Sequence, residues 1–147
     1  MYELTVSETF VAQHYLTVPN PPADEAELHS HAFTAEATFS GPELGEYGYL
    51  LDIDLALDAL GDAADRYRDE TLNDHLEGNP SAERLARALF DDLAGVDAPA
   101  ATRLSVTVRE DEVATGASTP ARSSNSARAS RSALGLPSRW SLSVSSR

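Results

Sequence analysis

Three of the four histidines in this 147-residue chain, His14, His29 and His31, have the type and spacing to hold a metal ion. His29 and His31 are two apart, so in a strand both side chains leave the same face, about 7 Å apart at the backbone, and can converge on one ion. A pair at this spacing is, by itself, more often exposed polar surface than a ligand set. His14 strengthens the metal reading, because it lies fifteen residues upstream and approaches the pair if the two strands form a hairpin. Three neutral imidazoles without a fourth protein ligand describe a catalytic zinc, with one coordination position left for water or substrate. The chain has no cysteine, which excludes disulfides, thiolate ligands and a cysteine nucleophile.

These histidines need strands to carry them, and the surrounding pattern supplies candidates. Residues 2 to 16 alternate, with Tyr2, Leu4 and Val6 on one side and Glu3, Thr5 and Ser7 on the other, which predicts a first strand. Val18 to Glu25 contains three prolines that cannot donate to a ladder, and reads as a loop. A second strand is expected from Leu28 to Phe39, with His31, Phe33, Ala35, Ala37 and Phe39 on one face, ended by Gly41-Pro42. Tyr49 to Asp52 reads as a short extended piece before a helix in which Leu55, Leu57, Leu60 and Ala64 recur, with Asp52 or Asp54 as its cap. Asn79-Pro80-Ser81-Ala82-Glu83 has the composition of a second helix start, with Asn79 accepting orphan amides, and Leu85, Leu89, Phe90 and Leu93 form its apolar stripe up to Gly95. A last strand is expected over Arg103 to Arg109, ending at Glu110-Asp111. Strand, strand, helix, helix, strand describes an α+β domain with helices on one face of an antiparallel sheet.

All 24 acidic residues precede position 117, where they face six arginines and no lysine, a formal charge of −18. Such a surface repels nucleic acid and anionic lipid, so neither is an expected partner, and it suits high salt, where self-repulsion is screened. No signal peptide or run long enough to span a membrane is evident, which leads to the expectation of a cytoplasmic protein. Residues 117–147 differ in kind, with eleven serines, five arginines and no acid. They are expected to form a disordered basic tail, or equally a non-native end produced by reading out of frame near residue 117. One domain over residues 1–116 is therefore predicted.

Several segments, in order, resemble the 6-pyruvoyl-tetrahydropterin synthase and 6-carboxy-tetrahydropterin synthase family. Phe10-Val11-Ala12-Gln13-His14-Tyr15-Leu16 is similar to its first zinc-ligand segment, His29-Ser30-His31 to its His-Gly-His pair, and Gly48-Tyr49-Leu50-Leu51-Asp52 to its Gly-apolar-apolar-Asp strand. Leu72-Asn73-Asp74 and Asn79-Pro80-Ser81-Ala82-Glu83 resemble its Leu-Asn and Asn-Pro-Thr-x-Glu segments, and Val106 to Glu110 its closing strand. The resemblance implies a tunnelling-type fold, a ring-shaped homo-oligomer of hexamer type, and a Zn2+ ion on His14, His29 and His31. It further implies a lyase acting on dihydroneopterin triphosphate, giving a 6-pyruvoyl-, 6-carboxy- or related pterin for tetrahydropterin, deazapurine or folate-type pathways. Ser81, Glu83 and Glu110 would bind this small-molecule substrate, with Glu110 gripping the guanidine-like edge of the pterin through two parallel hydrogen bonds.

The chain departs from that pattern where protons are moved. The family's catalytic cysteine lies four residues before the histidine pair, where this chain has Glu25. One branch of the family carries Glu there and leaves 6-hydroxymethyl-dihydropterin, so Glu25 is the candidate catalytic acid or base, with Glu27 second and an ordinary solvated acid the alternative for both. The family's Asp-His relay corresponds to Arg68-Asp69, which leaves Asp69 without a histidine partner and His75 as a possible spatial substitute. Ser30 replaces the glycine between the paired ligands. A catalytically silent pterin-binding homologue is the other reading of these losses.

Overall fold

The computed structural model describes residues 1–111 and the backbone of Glu112, Asn125–Ala129 and Ser145–Ser146. Two thirteen-residue strands, β1 (Tyr2–His14) and β2 (His29–Gly41), pair antiparallel from Tyr2 opposite Gly41 to His14 opposite His29. The connection between them holds a single helical turn, α1 (Ala23–Ala26), inside the segment expected to be loop throughout. On the second side of β2 lies β3 (Arg103–Glu112), also antiparallel. Two short strands, β4 (Asn125–Ala129) and β5 (Ser145–Ser146), extend the sheet to the order β1-β2-β3-β4-β5. Their residues belong to the stretch expected as a tail; the rest of 117–147, and the expected domain boundary at 116, lie outside the described residues.

Alternation explains why one face of this sheet is covered. Val6, Phe10 and Ala12 of β1 and Phe33, Ala35, Ala37 and Phe39 of β2 are buried on one side. The other side carries hydroxyl pairs across the ladder, Thr5 with Thr38 at 2.8 Å and Thr9 with Thr34 at 3.0 Å. Helices cover only the apolar side, as an antiparallel sheet with one wet face requires. The helix α2 (Ile53–Asp65) lies against β1, and α3 (Ala82–Leu93) lies against β3 and against α2. The Asp52 carboxylate caps α2 by accepting from the Asp54 amide, as expected. At α3 the cap is Ser81, which accepts from the Arg84 amide, and not Asn79. Leu60, Leu85, Leu89, Phe90 and Leu93 fill the space between the layers with Phe10, Phe33 and Phe39.

Two boundaries differ from expectation, and both matter for chemistry. β1 stops at His14 instead of residue 16, because the chain leaves the β2 ladder there and the Leu16 amide donates to the Glu25 carbonyl of α1. β3 runs to Glu112, past the expected end at Glu110-Asp111, so Glu110 lies inside the ladder opposite Phe33. Among the described residues no helix is long and apolar enough to cross a membrane.

The charge has a thermodynamic consequence. Arg66, Arg68, Arg87 and Arg109 hold acids in ion pairs, but the six arginines of residues 1–116 cannot neutralise the 24 acids of the same stretch. The thermal midpoint is expected to rise by several degrees as KCl approaches molar concentration; a midpoint that falls over that range counts against a repulsive surface.

Candidate metal centre

His14 is the last residue of β1, His29 the first of β2, and they face each other across the ladder. His31 follows two residues on, so all three rings project from the helix-covered face at one end of the sheet. Their centroids lie 4.6, 4.7 and 5.0 Å apart, each pair edge-on, and one nitrogen from each falls within 4.8 Å of the others. His14 is 3% exposed, and Phe33 borders both His14 and His31 with its ring.

The outer ring nitrogens show why the inner ones point at a common centre. His14 Nδ1 lies 3.0 Å from the Pro80 carbonyl oxygen and His29 Nδ1 lies 2.7 Å from that of Glu27. A carbonyl only accepts, so each Nδ1 carries the proton, and each Nε2 is left with its lone pair available to a cation. His31 Nδ1 is buried and makes no hydrogen bond. The Asp111 backbone lies close enough to favour the charged form of His31, but not in a geometry that bonds this nitrogen. Backbone-fixed imidazoles with nitrogens converging in a small, largely buried space fit a divalent ion of borderline softness such as zinc.

Glu110 reaches this cluster from β3. Its Oε1 is 3.1 Å from His14 Nε2 and 3.1 Å from His31 Nε2, with the carboxylate 17% exposed. Burial alone would raise the Glu110 pKa, but the bond that a doubly protonated, metal-free His14 donates from Nε2, together with the charges of His31 and His14, outweighs it and holds it below the usual carboxylate range. Burial works the other way on His14, and there the carboxylate and the Pro80 carbonyl prevail, raising its pKa. For His31, burial prevails over the pull of Glu110, helped by repulsion from the other two imidazoles, and the pKa falls.

A scaffold of backbone and amide groups fixes the end of β1 that carries His14. The Gln13 amide donates to the Glu70 carbonyl at 2.8 Å and the Asp69 amide to that of Val11 at 2.7 Å. Beyond them Asn73 makes both bonds of a ladder partner to Tyr15, accepting from its amide at 3.0 Å and donating to its carbonyl at 2.9 Å. Asn79 accepts from the Thr17 amide at 3.0 Å. Segment 69–80 thus stands in for a neighbouring strand, and delivers the Pro80 carbonyl to His14. Sequence reasoning missed these roles of Asn73 and Asn79, since only their turn-forming type was visible and not their long-range partners.

The other expected site residues divide into near and far. Glu25 is half-buried in α1, its carbonyl accepts from the Leu16 amide at 2.8 Å, and its carboxylate is near enough to raise the His14 pKa. Ser81 adjoins Pro80, with its hydroxyl engaged as the α3 cap. Glu83 is exposed in the first turn of α3. Asp69 is exposed at a left-handed backbone position, φ 60°. Its neighbour Arg68 is held by Glu8 and Asp65 at 2.6 and 2.9 Å. His75 pairs with Glu70 at 3.4 Å and packs edge-on against Tyr67.

The family model of 6-pyruvoyl tetrahydropterin synthase matches residues 3–119 of this chain. Among solved structures, the 6-pyruvoyl tetrahydropterin synthase of Caenorhabditis elegans has a TM-score of 0.58 at 17% identity, covering 73% of this chain and 86% of that one. That of Plasmodium falciparum has a TM-score of 0.57 at 10% identity, covering 76% and 91%. At such identities the likeness establishes the α+β fold. No curated protein matches the chain.

Proposed function

This chain belongs to the 6-pyruvoyl tetrahydropterin synthase family, and from that premise we propose that it is a zinc-dependent lyase converting dihydroneopterin triphosphate to a 6-substituted pterin. The observation that carries this reading is the convergence of His14, His29 and His31 on one centre, with two of the rings fixed through Nδ1 by backbone carbonyls. These three residues would hold the ion. Zinc, when bound, supplies a Lewis acid beside the side-chain hydroxyls of the substrate and favours their ionisation near neutral pH.

The protein's own groups do the rest. Glu25 is the acid beside the cluster, in the sequence position of the family's cysteine, and serves as the base that takes a proton from the substrate side chain. Its presence there favours cleavage to 6-hydroxymethyl-dihydropterin over the pyruvoyl product. Ser81, next to Pro80, and Glu83, in the first turn of α3, are assigned to binding the pterin by their sequence position in the family's Asn-Pro-Thr-x-Glu segment, and Asp69, at the start of the 69–80 segment, to catalysis by its position in the family's relay. The wall formed by Phe33 keeps water from the inner side of the imidazoles.

Association into a ring is part of the same reading. Tyr47, Tyr49, Ile53 and Leu57 are exposed at the start of α2 and the loop before it, an apolar concentration suited to contact with another copy of the chain. The reaction is tested by incubating zinc-loaded protein with dihydroneopterin triphosphate in molar KCl and separating the pterins by chromatography. Loss of substrate with a new pterin is the expected result. Tight pterin binding without turnover would identify a silent homologue, and neither binding nor turnover would remove the assignment.

A further inference from the structure

We propose that Asn79 is a positioning residue of the metal centre: by gripping the chain just past β1 it holds the Pro80 carbonyl against His14, and thereby sets how tightly His14, His29 and His31 hold their ion. The inference rests on the zinc reading above and goes beyond it, because it makes metal affinity depend on a residue outside the three imidazoles.

The outer bonds of the imidazoles differ in reach. His29 Nδ1 meets the carbonyl of Glu27, two residues away, at 2.7 Å, a partner supplied by the entry to its own strand. His14 Nδ1 meets the carbonyl of Pro80, 66 residues away, at 3.0 Å. That hold on the ring is only as firm as the placement of residues 79–81. Losing the partner that orients a ligand histidine costs about tenfold to a hundredfold in metal affinity, so the distant element that aims this carbonyl belongs to the working centre.

Residues 79–81 form a compact holder in which each polar group has a separate task. The Asn79 carbonyl accepts from the Ser81 amide at 2.9 Å, which closes an inverse γ-turn around Pro80. The proline ring fixes φ at about −65°, close to what the centre of such a turn requires, so the closed turn leaves the Pro80 carbonyl little freedom of direction. The Ser81 hydroxyl accepts from the Arg84 amide at 3.2 Å and ties the turn to α3. Asn79 Oδ1 ties it to the opposite side, accepting from the Thr17 amide at 3.0 Å and from the Thr17 hydroxyl at 3.4 Å.

Thr17 lies three residues past His14, on a stretch pinned from both sides. The Leu16 amide donates to the Glu25 carbonyl of α1 at 2.8 Å, and the Tyr15 backbone is held by Asn73. Asn79 therefore grips a fixed point of the chain that carries His14, and it adjoins Pro80, so the grip passes directly to the carbonyl. Both of its side-chain bonds use the acceptor oxygen; an Asp side chain supplies the same acceptor and an Ala does not. Arg68 provides the contrast. It ties the same segment to the same strand through the Thr9 carbonyl at 3.3 Å and Glu8 at 2.6 Å, but five residues short of His14 and with no ligand at the end of its bonds.

The test uses the full chain and measures cobalt(II) affinity by chelator competition, with the visible absorption of the bound ion as the signal. N79A is expected to hold cobalt about tenfold to a hundredfold more weakly than wild type, and N79D, which restores the acceptor, to stay within about threefold of it. R68Q is expected to unfold at lower denaturant and yet also to stay within about threefold, which separates positioning from a general loosening of the segment. Coupling is reciprocal, so zinc should slow hydrogen exchange of the wild-type Thr17 and Ser81 amides by about the same factor, and by clearly more than that of the Thr102 amide, which bonds to Ser40 at the far end of β2. Wild-type affinity in N79A, a loss in N79D as large as in N79A, or an equal loss in R68Q each overturns the proposal. So does exchange at Thr17 and Ser81 that zinc leaves unchanged, a result that needs no variant to fold. Failure of wild type to bind either metal would overturn the zinc reading itself, and the proposal with it.

Discussion

Protein carrying His29→Ala is expected to purify folded but without zinc. Structural zinc sites contribute roughly 10 to 16 kcal/mol, so one ligand among three or four is worth about 3 to 4 kcal/mol, a loss of several-hundred-fold in affinity. The fold should barely respond. His29 is half-buried at the very start of β2, and its Nδ1 bonds to the Glu27 carbonyl two residues away, not to a distant element. Metal-free H29A and metal-free wild type should therefore unfold within about 1 kcal/mol of each other. Metal analysis with chelator competition checks the first statement and denaturant unfolding the second. Stoichiometric, tightly held zinc in H29A would show that the imidazoles do not share an ion.

Glu25→Gln should do the reverse, keeping the metal and losing the reaction. The substitution preserves shape and removes only the ability to accept a proton, an effect worth about 10² to 10⁴ in kcat for a general base. Zinc content should stay at wild-type level, because Glu25 acts on His14 through space and its link to the site scaffold is its backbone carbonyl, which accepts from Leu16. Single-turnover measurement with dihydroneopterin triphosphate, alongside metal analysis of the same sample, reads both quantities. An unchanged kcat would assign the proton to another group, of which Glu27 is the nearest in sequence.

The two-residue period of a strand made the His29 and His31 pair legible, and the proline-rich connection made the hairpin with His14 legible, because both depend on local pattern. The one-sided burial of Phe33, Ala35, Ala37 and Phe39 was legible for the same reason. Glu110 was not. Its approach to His14 depends on the register of β2 against β3, and that register pairs Phe33 with a residue more than seventy positions away. Nothing in the local alternation of residues 103–112 states where the strand begins relative to β2. Asn79 shows a second limit: its type fits a helix cap, yet Ser81 caps α3 and Asn79 serves Thr17. Both choices satisfy orphan amides, and only the approach of the two chain segments selects between them.

Segment 68–79 also settles what the outer border of the sheet can recruit. Along β1 and just past it, the carbonyls of Thr9, Val11 and Tyr15 and the amides of Gln13, Tyr15 and Thr17 are all taken by that segment. Among the described residues nothing takes the outward groups of Glu3, Thr5 and Ser7. An incoming strand from another molecule therefore has a short berth near the N-terminus and none beside the histidines. Any growth of the sheet in that direction is steered away from the imidazole cluster, and its length is limited to about the first seven residues.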